Sequence, residues 1–255
     1  MSACQVIILT LQKGVVAFKF FPKLIFATIL GVFLLGITFV GRWGANLFTY
    51  TNLDPDGAYM SISVHHLVQG VFVLMVMLVL KRFFKVPFAF GLGDRAVGWR
   101  YLKRFMLMFV VYAVVAMVAT VLAGGFQPFP YPLSVRNITG YLGFQLLLSG
   151  PSEELIFRAF AITTFAHLVT DKRLNRFLSY AAVFAAVIFG LAHVVIRFNP
   201  FSVDFHVVQL VYAAVLGCFY GDCYEKSKSV VYPMIMHSFT NVVMVVMTIV
   251  LSVFL

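Results

Sequence analysis

Charge is scarce in this 255-residue chain, which holds nine acidic residues and only 11% charged residues in all. With 62% hydrophobic residues and a mean hydropathy of +0.98, it has far too little polar surface for a soluble domain of this length. Cysteine is scarcer still. Cys4, Cys218 and Cys223 are odd in number and form no CxxC pair, so neither a disulfide framework nor a thiolate metal site is expected, only buried thiols. The chain has no HExxH, no internal repeat, no low-complexity segment and no linker long enough to separate domains. A removable signal peptide is not expected either, because the short apolar piece from Val6 to Leu11 is broken by Gln12 and Lys13 and lacks a small-residue cleavage site.

What is present is a series of apolar runs of about 20 residues, the length that crosses a hydrocarbon core about 30 Å thick. The predicted spans are about 24–40, 61–80, 105–123, 138–165, 177–196, 205–223 and 230–255, and residues 1–21 are a candidate interfacial helix. The fold class is therefore all-α, a polytopic transmembrane helical bundle of about seven or eight spans. Asp54-Pro55-Asp56-Gly57 reads as a turn, and the Pro-rich stretch Pro128 to Pro132 as a non-helical loop. The most basic loop carries Lys81, Arg82, Lys85, Arg95, Arg100, Lys103 and Arg104 against Asp94 alone, and every basic cluster falls on one side of the predicted topology. The positive-inside rule then puts the N-terminus in the cytoplasm and the C-terminus outside, in an integral membrane protein expected in the plasma membrane. Orientation thus accounts for the net charge of +10, and a nucleic-acid partner is not expected.

Against that background Gly150-Pro151-Ser152-Glu153-Glu154-Leu155-Ile156-Phe157-Arg158 places two carboxylates and a guanidinium in an apolar run. An Asp, Lys or Arg at the centre of a membrane helix costs about 2.5 to 3.5 kcal/mol on insertion scales, so such groups face a polar interior and serve a function there. Gly150-Pro151 is expected to break or kink the helix and start a new turn near Ser152. Glu154 and Arg158, four apart, share a face in the order that favours an ion pair. Glu153 lies about 100° round the helix and lacks that partner. Two neighbouring carboxylates in a low-dielectric site cannot both ionise cheaply. Glu154 therefore stays charged against Arg158, and Glu153 is the group poised to take a proton from water. A purely structural Glu-Arg brace is the alternative for this stretch.

Two later spans carry histidines. Ala182, Ala186, Gly190 and His193 fall on one helical face, where small residues let another helix approach closely. His237 and Asn241 share a face of the last span and can address one point together. His65, His66 and Gln69, near one end of the second span, are expected to contact lipid headgroups, with a polar helix partner as the alternative.

Glu153-Glu154-x-x-x-Arg158, Phe189-x-x-x-His193 and His237-x-x-x-Asn241, in that order and each in its own segment, resemble the three motifs of the CPBP intramembrane proteases. That family contains the type II CAAX prenyl endopeptidases and the bacterial Abi proteins linked to bacteriocin self-immunity. The resemblance covers about residues 138–245. It divides a single domain into N-terminal membrane helices, 1–137, and CPBP-like catalytic helices, 138–255. It implies an intramembrane endopeptidase acting on a membrane-associated peptide or protein, with the lipid bilayer as its other partner. By similarity Glu153 is the base that activates water, His193 holds the same water, and His237 and Asn241 stabilise the oxyanion. Glu154 and Arg158 brace the site and Phe189 walls it. A non-proteolytic immunity or partner-binding role remains an alternative within the family, and a proton-coupled carrier is disfavoured by the lack of a two-half repeat.

No cofactor is favoured, although a zinc-dependent version is the second reading. Glu153, His193 and His237 are a legitimate His2Glu ligand set for zinc, but Asn241 is a poor zinc ligand and a good oxyanion donor. Gly150-Pro151-Ser152-Glu153 lacks the final Gly of the rhomboid GxSG site. Gly91-Leu92-Gly93-Asp94 has the letters of the GxGD aspartyl proteases but lies in the basic loop. One tension stands out: His193 falls near the outer end of its span and His237 about two turns from the inner end of its own, depths that a shared site does not allow at about 1.5 Å per residue.

Overall fold

The computed structural model describes residues 3–255, with side chains from residue 22 onward. Seven helical passages cross the molecule: α1 (Ala3–Ala45), α2 (Met60–Phe84), α3 (Arg95–Leu122), α4 (residues 135–168), α5 (Tyr180–Leu191), α6 (Val207–Ser227) and α7 (Val231–Phe254). Five are long and apolar enough to cross a membrane: residues Pro22–Ala45 of α1, and α2, α3, α6 and α7. The expectation of an interfacial helix over residues 1–21 lies outside the described side chains.

The outside of the bundle is apolar, as a protein dissolved in lipid requires. Leu107, Met108, Val111, Val115 and Leu122 of α3 are exposed, and only 17% of that helix's apolar window is buried. The main core lies among α1, α2, α4 and α5, where Leu34, Ile37, Val73, Met77, Ile156, Phe157, Phe160, Ala182 and Phe189 pack together. A smaller cluster of Leu102, Tyr220, Cys223, Tyr232 and Met236 joins α3, α6 and α7. The small-residue face of α5 does what its spacing predicts. Its Ala182 and Ala186 lie against Gly221 and Gly217 of α6, and a Cβ on Gly217 would meet Ala186 at 3.1 Å and the Arg158 guanidinium at 3.3 Å.

The connections sort onto two faces. Asp94 N–H donates to the Ser227 carbonyl (2.7 Å), and Arg173 pairs with Glu225 (3.1 Å), so the loops after α2, α4 and α6, which hold the basic clusters, share one face. On the opposite face Asn137 donates to Asp56 (2.9 Å) and Phe129 N–H to Ser252 (2.8 Å). There Asp54 closes the turn before α2 by accepting from the N–H groups of Ala58, Tyr59 and Met60, each at 2.8 Å. Burial by itself pushes the Asp54 carboxyl up, but these three donors and the charge of Arg136 outweigh it and hold it below the usual carboxylate range.

Two expectations about elements need correction. Pro151 does not break its helix: α4 runs unbroken from 135 to 168, and π turns at Gln145–Ser149 and Leu155–Phe160 flank the short α-helical piece Gly150–Glu154. A π turn shifts the hydrogen-bond register by one residue, which absorbs the N–H that proline lacks. The fifth passage also ends early, at Leu191 rather than near 196. His193 lies in a turn, and the β-branched run after it enters a hairpin, β1 (Val195–Phe198) with β2 (Phe201–Asp204), tied across by Arg197 and Asp204.

Candidate active site

Two close approaches of helix backbones build the site. At Gly150 of α4 a Cβ would come within 2.7 Å of both the backbone N and the Oγ of Ser238 on α7, and only glycine lets the helices meet there. That contact lays Glu153 and Glu154 against His237. On the other side Gly70 of α2 faces Ser152, which brings His66 and Gln69 to the same piece of α4.

Glu154 is wholly buried and doubly engaged. His237 Nδ1 lies 2.8 Å from its Oε1, and Arg158 Nε lies 3.0 Å from its Oε2. The guanidinium is close enough for an ion pair but not aligned for a hydrogen bond, and all three of its nitrogens lack hydrogen-bond partners. Aromatic faces enclose it instead, Phe189 at 4.5 Å and Tyr220 at 5.2 Å from the guanidinium carbon. The i,i+4 pair predicted from sequence is therefore present, with His237 as a third member.

Glu153 differs. Its side chain keeps 18% of its exposure, and it is not without partners as the helical wheel suggests: His66 Nε2 lies 3.8 Å from Oε1, and His237 Nε2 lies 3.6 Å from Oε2. A carboxylate can only accept, so His237 donates Nδ1–H to Glu154, and Nε2 is the nitrogen left to face Glu153. His193 is fixed by the same logic, because its Nδ1 lies 2.9 Å from the Phe189 carbonyl and must be the protonated nitrogen, which leaves Nε2 free.

Phe189 meets His193 edge-on at 5.1 Å and His237 edge-on at 5.8 Å, while Tyr220 stacks on His237 at 5.2 Å. Asn241, one turn beyond His237, donates to Ser149 Oγ at 3.0 Å and makes no hydrogen bond to the carboxylates. The tension over depth is removed by stagger and by the short α5. His66 and His237 each sit six residues, about 9 Å, into their helices from opposite faces, yet both reach one carboxylate.

Sequence reasoning missed several neighbours. His66 and Gln69 do not contact headgroups; they are buried, at 6% and 3% exposure, and His66 Nδ1 lies 2.9 Å from Ser152 Oγ. Polar side chains inside an apolar span were the available signal, and the alternative of a polar helix partner was the right one. Tyr220, whose hydroxyl pairs with Thr240 at 2.9 Å, and Ser149 carried no such signal. Near the start of α2, a cavity of about 480 Å³ is lined by Arg42, His65, Tyr131 and Tyr141 among others. For a metal, the donor set is the test. Among the described residues no group of three or more His, Cys, Asp or Glu side chains is placed to hold a metal ion.

No curated protein and no solved structure matches the chain. Residues 135–243, which run from the first turn of α4 to just beyond Asn241, match the family model described as Type II CAAX prenyl endopeptidase Rce1-like. That segment is similar to the Rce1-like type II CAAX prenyl endopeptidases, a family of membrane endopeptidases.

Proposed function

We propose that the protein hydrolyses a peptide bond at or near the membrane by attack of a water molecule activated by Glu153. One observation carries this reading: of two adjacent carboxylates, Glu154 is fully buried and held by His237 and Arg158, whereas Glu153 keeps 18% exposure and has no direct hydrogen bond. A base must reach the proton it removes, and only Glu153 has room for a water. His193 offers the free Nε2 that holds this water beside it. His237, protonated on both ring nitrogens between Glu153 and Glu154, donates its Nε2–H to the oxyanion that forms as the carbonyl is attacked, and Asn241 donates its second amide N–H. The proton taken by Glu153 passes to the leaving amine. Glu154, Arg158 and Phe189 fix the His237 and His193 rings that do this work.

The substrate is a membrane-associated peptide or protein, and a prenylated CAAX terminus is the class that the family description names. The basic face lies in the cytoplasm with the N-terminus, and the plasma membrane is the site of action. Purified protein in vesicles is expected to cleave a farnesylated CAAX peptide, and His193→Ala is expected to abolish cleavage. Identical fragments from wild type and His193→Ala would remove His193 from the mechanism. Removal of a oxyanion donor by His237→Ala is expected to lower kcat by about 10²- to 10³-fold. Because Asn241 is a poor zinc ligand and a good oxyanion donor, chelation is expected to leave the rate unchanged. Stoichiometric zinc whose removal abolishes cleavage would replace this reading with the zinc-dependent one.

A further inference from the structure

We infer that His66 is a positioning residue for Glu153, a role that rests on Glu153 being the base proposed above. His66 lies in the N-terminal helices, outside the matched segment 135–243. Three polar side chains, His66, Gln69 and Ser152, are buried together between α2 and α4, a placement that costs free energy unless they bond to one another. They do. Ser152 Oγ lies 2.9 Å from His66 Nδ1, and Gln69 Nε2 lies 3.1 Å from His66 Nδ1 and 3.3 Å from Ser152 Oγ.

The Glu153 carboxylate can only accept, which puts the His66 ring proton on Nε2 and leaves the Nδ1 lone pair to the Ser152 hydroxyl or the Gln69 amide N–H. Nε2 is the atom that faces Glu153 Oε1 at 3.8 Å. The ring is also gripped edge-on by Phe144 at 5.0 Å, so it has little freedom to turn away. Glu153 is therefore flanked by an imidazole on each oxygen, from α2 on Oε1 and from α7 on Oε2. A separation of 3.8 Å exceeds a direct hydrogen bond, so the N–H restrains the carboxylate by its dipole or through one water and leaves a lone pair able to accept a proton. A direct bond would hold Glu153 more firmly and blunt it as a base.

Three substitutions at one position separate this role from simple packing. Gln can place an N–H near the Nε2 position, Asn reaches only the Nδ1 position, and Phe preserves the ring's bulk with no polar atom. On a farnesylated CAAX peptide in phosphatidylcholine vesicles, His66→Phe and His66→Asn are expected to lower kcat by about 10²-fold with little change in KM, the scale set by a small misplacement of a reacting group. His66→Gln is expected to retain most of kcat. Full kcat in His66→Phe overturns the inference, as does a loss in His66→Gln equal to that in His66→Phe. Should His66→Phe not fold, Ser152→Ala, which removes the closer of the two partners of Nδ1, is expected to show a smaller fall in kcat, and an unchanged kcat overturns the inference. If wild type cleaves nothing, the proposed function fails, and infrared spectroscopy decides the positioning role separately. The carboxylate stretch of Glu153, identified by difference from Glu153→Gln, is expected to shift in His66→Phe and not in His66→Gln. No shift in His66→Phe overturns the inference.

Discussion

Two adjacent glutamates of identical chemistry sit in unlike surroundings. Glu154 and Arg158 sit at 0% and 1% side-chain exposure, and neither has water to fall back on. Arg158→Ala leaves the Glu154 charge without its cation, and breaking one partner of a buried pair costs about 3–5 kcal/mol. A lower unfolding temperature in detergent checks this. The double variant Glu154→Leu with Arg158→Met is expected to lose less stability than the two single variants summed, because no charge is then stranded. The motif residues were legible because an ionisable side chain in an apolar run has few reasons to be there. His66 and Gln69 were not, since polar residues near a span's end suit a headgroup and a buried neighbour equally well, and only the facing Ser152 decides between them.

At the scale of elements, the site depends on how closely α4 lies on α7. Gly150→Ala forces a Cβ to within 2.7 Å of Ser238 and is expected to cost about 1–3 kcal/mol through overpacking, read as a lower unfolding temperature together with slower cleavage. The turn before α2 gives a pH-dependent counterpart. The Asp54 carboxyl is held below its ordinary value, so its contribution to stability is present above the unfolded value of about 3.9 and is lost as pH falls through the lower folded value. Unfolding temperature followed from pH 6 to pH 3 is expected to fall less steeply in Asp54→Asn than in wild type. The order of the helices could be read from hydropathy, and the face of α5 from its small residues. The π turns in α4 could not, because a one-residue shift of hydrogen bonding leaves no local pattern of side chains and is set by the packing of Gly150, Ser152 and Arg158 on three neighbouring helices. The predicted fifth span takes in the start of the hairpin because Val194, Val195 and Ile196 suit a membrane helix as well as a strand.

For the whole molecule, seven passages place the basic loops on one face and Asp54, Phe129 and Ser252 on the other. An epitope inserted between Lys172 and Arg173 is expected on the cytoplasmic side and one after Leu255 on the opposite side, checked by antibody access before and after permeabilisation. The N-terminal helices, which show no motif by sequence, contribute α2 and with it half of the surroundings of Glu153. The central claim is that this carboxylate activates the attacking water, and the kcat of Glu153→Gln in vesicles tests it most directly. A general base contributes about 10²- to 10⁴-fold, so a fall of that size in a variant that remains folded is the predicted result. Retention of kcat within a factor of two, with the same fragments produced, would contradict it.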